Sequence, residues 1–108
     1  FIEKNVLEEP VIQNASYFYK TLRYGTYSCL NIKWDEVKNA TSYEVKVTKS
    51  DGTEKVFSTS YPAFITSNYS DEFISSGMDD AVIRVKAHGE DETFSLWSDE
   101  VTVSRFSF

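Results

Sequence analysis

From residue 30 to residue 47 the chain alternates. Leu30, Ile32 and Trp34 are apolar with Asn31 and Lys33 between them, and Tyr43, Val45 and Val47 alternate with Glu44, Lys46 and Thr48. Successive side chains of a strand point to opposite faces, so each run predicts a strand with one buried and one wet face. The connector, residues 35–42, is polar apart from Val37 and Ala40, which suits a loop that still tucks something inward. Neither strand is stable alone, and the rest of the chain must supply the cover.

The remaining pattern supplies it in short pieces. Residues 1–9 read as a charged lead-in or linker, and Pro10-Val11-Ile12 opens a first strand, where proline is tolerated. In residues 14–27, NASYFYKTLRYGTY, Tyr17 and Tyr19 share one face, Phe18 takes the other, and Arg23-Tyr24-Gly25-Thr26 reads as a turn. This stretch is expected to continue the first strand and turn back into the 30–34 strand. Asp51-Gly52 marks a hairpin to a return strand at 54–58, because both residue types tolerate positive φ. A further strand covers 61–66. Residues 70–76, closed by Gly77, predict one helical turn or a structured loop. Residues 81–87 form a clear strand with Ile83, Val85 and Ala87 inward and Arg84 and Lys86 outward, residues 89–92 a turn, and residues 94–103 the last strand. About seven strands with turn signals every 8–12 residues or so predict an all-β, seven-stranded antiparallel sandwich over residues 10–104, with 105–108 as a tail. Its expected core is Leu30, Ile32, Trp34, Tyr43, Val45, Val47, Ile83, Val85, Ala87, Val101 and Val103.

Composition agrees. A chain of 108 residues, 41% hydrophobic and 16% aromatic, has the length and apolar content of one domain with a modest core. The net charge of −6 and the scattered Lys and Arg argue against nucleic-acid binding. No apolar run approaches the roughly 20 residues that span a bilayer, and the opening FIEKN does not read as a signal peptide. With one cysteine, Cys29, and one histidine, His88, neither an internal disulfide nor a Cys/His metal cluster is expected, and no cofactor.

Three blocks, in order, resemble a known family. LNIKWDEVKNATSYEVKV is similar to the second and third strands of a fibronectin type III domain, IRVKA to its sixth strand, and SLWSDEVTV to its last. The resemblance runs from about Pro10 to Val103. It implies an immunoglobulin-like sandwich serving as a non-catalytic spacer or protein-interaction module of a larger extracellular or cell-surface protein. Its partners would be neighbouring domains of the same chain, another protein or a polysaccharide, and the isolated domain is expected to be a monomer. Disulfide-free members are common in bacterial secreted carbohydrate-active enzymes and in phage tail proteins as well as in animal adhesion proteins and receptors, and the acidic, Lys-, Asp-, Asn- and Tyr-rich wording resembles the bacterial ones. Two departures stand out. Ala81 occupies the place of a tyrosine whose hydroxyl normally ties down the preceding corner, which leaves that corner to Phe73, Ile74 or Met78, and residues 14–27 are longer than the family needs.

Candidate chemistry is sparse. The adjacent carboxylates Asp35/Glu36, Asp71/Glu72, Asp79/Asp80, Asp91/Glu92 and Asp99/Glu100 read as solvated turns rather than a hydrolase pair, which must face across a cleft. His88 reads as a turn histidine. Cys29 is out of phase with Leu30 and should face away from the main core in a quiet packing role. Trp97 is expected to lie across a sheet surface against Arg84 or Lys86. Asn14, Asn39 and Asn68 each begin a glycosylation sequon. The feature with functional weight is the aromatic cluster Tyr17, Phe18, Tyr19, Tyr24 and Tyr27. As an alternative to a spacer, Tyr17, Tyr19, Tyr24 and Tyr27 could make a carbohydrate-binding module by stacking on sugar rings. The bland reading is that these rings simply cover the sandwich.

Overall fold

The computed structural model describes residues 7–68, 71–75 and 77–107. Residues 1–6 of the lead-in, Ser70 and Ser76 of the expected turn, Tyr69, and Phe108 lie outside the described residues. The strands are β1 (Ile12–Leu22), β2 (Gly25–Trp34), β3 (Ala40–Thr48), β4 (Glu54–Thr59), β5 (Ala63–Ser67), β6 (Val82–Gly89), β7 (Val101–Thr102) and β8 (Ser104–Ser107). They build two sheets in the orders β5-β2-β1-β8 and β4-β3-β6-β7. Every pairing is antiparallel except β1 with β8, which run parallel.

The alternating runs explain the layers. Leu30, Ile32 and Trp34 of β2 and Tyr43, Val45 and Val47 of β3 point between the sheets with Ile83, Val85 and Ala87 of β6, all buried. Apolar area leaving water on both inner faces holds the sheets together. Trp34 and Tyr43 meet edge-on at 5.2 Å, and the Tyr43 hydroxyl accepts the Val37 N–H at 3.1 Å, which folds the 35–39 loop under the sandwich. Val103 is buried and Val101 packs against the core from its edge. On one flank Phe57, Phe64 and Phe73 close the gap between the edge strands. Lys55 there pairs with Asp71, and that ammonium with the Phe73 N–H holds the Asp71 carboxyl below its ordinary pKa. The corner at Ala81 is filled by buried Ile74, on the 3-10 turn Glu72–Ser75, and by buried Met78, whose carbonyl accepts the Ala81 N–H.

Four local expectations need correction. The lead-in is already anchored before residue 10: Leu7 donates its N–H to the Phe94 carbonyl and packs against the core. Residues 105–107 of the expected tail belong to β8, because the chain crosses from one sheet to the other at Val103 and continues beside β1. Residues 94–100 are not a regular strand. The serine hydroxyls take over the ladder there, with Ser95 Oγ accepting the Ala87 N–H and Ser98 Oγ the Val85 N–H, at 2.8 and 2.9 Å. Trp97 lies as expected across the sheet surface under Lys86 Nζ at 5.6 Å, with Lys46 Nζ nearer at 4.5 Å, and Arg84 pairs with Glu100. His88 sits on β6 opposite Ser42 with its ring against Glu44, not in the turn.

Candidate functional site

The β1–β2 hairpin is the long element of the molecule. Its register runs from Ile12 opposite Trp34 to Leu22 opposite Gly25, leaving Arg23 and Tyr24 as the turn. Gly25 has φ +136°, a conformation side-chained residues rarely adopt, so glycine is what lets the turn close. Alternation assigns the faces. Ala15, Tyr17 and Tyr19 point to the opposite sheet; Ser16, Phe18, Lys20 and Leu22 point away from it.

The expected aromatic cluster is therefore split. Tyr17 is 6% exposed, and its hydroxyl donates to Ser28 Oγ at 3.1 Å in the interior. Tyr19 packs against the core beside it, with ring centroids 6.4 Å apart. Phe18 and Tyr27 meet on the other face of the same sheet, 6.3 Å apart and tilted by 49°. Tyr24 is at the turn, 91% exposed. As possible ligand contacts Tyr17, Tyr19, Tyr24 and Tyr27 are corrected in one respect: they share no platform, because consecutive strand positions face opposite ways and the inward ones are drawn into the core.

β5 stops at Ser67, opposite Cys29, and β8 at Ser107, opposite Tyr19, and beyond these rungs the hairpin runs on without a paired strand among the described residues. Asn68 clamps the step. Its Oδ1 accepts the Ser28 N–H at 3.2 Å and its Nδ2 donates to the Thr26 carbonyl at 2.8 Å. Past that clamp Lys20, Thr21, Leu22, Arg23, Tyr24 and Thr26 are all exposed. Cys29 at the step is 6% exposed, with burial pushing its thiol pKa up against an opposing hydrogen bond from Tyr27. Between Pro10 and Trp34 there is no Asp or Glu, only Lys20, Arg23 and Lys33, so this projecting tip is basic in an acidic protein.

The opposite pole is the reverse. There the chain leads in past Glu8 and Glu9, and the loops carry Asp35, Glu36, Glu90 and Glu92. A groove of about 440 Å³ opens between Leu7, Val11 and Leu96, with Glu8, Glu9 and Asp99 on its rim. Among the described residues no group of His, Cys, Asp and Glu is arranged to hold a metal ion, and no helix is long and apolar enough to cross a membrane.

No family model matches the chain, and no curated protein does. A solved structure described as the crystal structure of FN3tt superposes with a TM-score of 0.55 at 20% identity, over 93% of this chain and 97% of that one. The fold is that of a fibronectin type III domain. Within that fold the long β1–β2 hairpin, its Asn68 clamp and its basic tip are features of this chain's own sequence. Sequence reasoning missed the clamp and Lys46. A signal for the tip was nevertheless present in the acid-free run from Pro10 to Trp34.

Proposed function

We propose that the chain is a non-catalytic fibronectin type III-like module that acts as a spacer or protein-interaction unit in a larger secreted or cell-surface protein. The observation that carries this reading is the path of the chain. It leads in through Leu7 and Pro10 at one pole, and β8 leads out parallel to β1 toward the other. The molecule measures 57 × 24 × 21 Å, so a chain threaded this way adds its long dimension to whatever it joins. Neighbouring domains of the same chain are its first partners on this reading. The extracellular or cell-surface setting rests on likeness of fold.

The test is the length of two copies joined end to end, measured by small-angle scattering. A largest dimension growing by about one domain length supports the spacer; a folded-back pair no longer than the single domain overturns it. A polysaccharide panel read by intrinsic fluorescence checks the other class of function. A saturable change abolished by Tyr24→Ala would replace this reading with sugar binding.

A further inference from the structure

The two poles differ in the way two halves of one contact differ. The hairpin tip is convex, with Leu22 38% and Tyr24 91% exposed on the same turn as the cations Lys20 and Arg23. The far pole is concave, with Val11 61% and Leu96 56% exposed in a groove rimmed by Glu8, Glu9 and Asp99. Large exposed side chains gathered on a patch mark contact surfaces, and opposite charges around apolar centres fix partner and orientation. Of the acids at the tip's own pole, Asp71 is engaged by Lys55, Asp51 lies in the β3–β4 turn of the other sheet, Asp79 and Asp80 precede β6 of that sheet, and Glu72 is on the 3-10 turn, whereas the hairpin itself carries none.

We infer that the hairpin tip of one copy docks into the acid-rimmed groove of a second copy, so that copies associate head to tail. This deepens the reading of the chain as a unit strung in line and rests on it. Each copy keeps one free face of each kind, so the contact does not close on itself and builds open strings. The faces are small, in the class of weak encounters below about 1,200 Å², which sets the expected dissociation constant on the order of 0.1–1 mM.

Analytical ultracentrifugation of the isolated domain over that concentration range tests the inference. The wild type should gain mean mass with concentration. Lys20→Glu/Arg23→Glu, which removes the tip, and Glu8→Lys/Glu9→Lys, which removes the groove's rim, should each stay monomeric with unchanged circular dichroism and melting. Mixed in equal amounts, the two variants should associate again, because the acidic groove retained by one fits the basic tip retained by the other and their reversed faces are likewise opposite in charge. A wild type that stays monomeric overturns the inference, and so does association that both variants retain or a mixture that forms no dimer. None of these failures touches the spacer reading, since joined copies keep their length whether or not separate copies adhere.

Discussion

The two halves of the β1–β2 hairpin share one hydrogen-bonded ladder and almost nothing else. In the half that lies on the sandwich, Ala15, Tyr17, Leu30 and Ile32 are buried against the opposite sheet. In the half beyond Asn68, neither face is covered and Lys20, Leu22, Arg23 and Tyr24 stand in water. Backbone pairing is thus the same while burial differs completely. Pairing sets the register, and the far sheet supplies the free energy, since a two-stranded ribbon is marginal by itself. The uncovered half owes its order to the covered one and to its clamp, and its sequence is free to serve contact.

Two leucines separate the halves most sharply. Leu30→Ala, at a fully buried position, should cost about 2–5 kcal/mol of unfolding free energy through lost transfer and a cavity. Leu22→Ala, on the same ladder, should stay within about 0.5 kcal/mol. Denaturant titration of the two variants reads the difference directly; equal losses would mean that the projecting half is covered after all. Asn68→Ala acts on the step between the halves. It strips a partner from the Ser28 N–H and the Thr26 carbonyl, for about 1–2 kcal/mol. Amide exchange should quicken in residues 20–27 and stay unchanged at 30–34, because the clamp restrains only the projecting part.

Tyr17→Phe should lose about 1 kcal/mol, the net worth of the buried hydroxyl's bond to Ser28 Oγ, whereas Tyr24→Phe should change stability by less than can be measured. Thermal melting of the pair decides it.

The sandwich was legible because period-two alternation in 30–34, 43–47 and 81–87 is enforced by burial on one face only, and that is a property of sequence. The same logic split Tyr17 from Phe18 by face. What alternation could not say was how far the opposite sheet reaches, which decides that Tyr17 is core and Tyr24 is not. Nor could it show that serine hydroxyls replace the ladder at Ser95 and Ser98, or that the chain changes sheet at Val103. Those features depend on side chains meeting backbone from distant segments, and no local period encodes them.

Cys29 sits on the step itself, and the smallest effect on stability carries the finest report on the comparison. It faces away from the core, yet it is nearly closed to solvent, and burial raises its thiol pKa. Because the folded pKa lies above the unfolded value near 8.5, the folded state holds this proton more tightly. That contribution is complete below the unfolded pKa and is lost as pH rises through the folded one, so stability should slip only in alkaline solution. At neutral pH a disulfide reagent should label Cys29 at the rate of local opening, not at that of an accessible thiol. Asn68→Ala, by loosening the clamp beside it, should speed the labelling at least several-fold, whereas Leu22→Ala should leave it alone. Prompt labelling of the wild type would place the boundary between the two halves one rung deeper in the sandwich than Cys29.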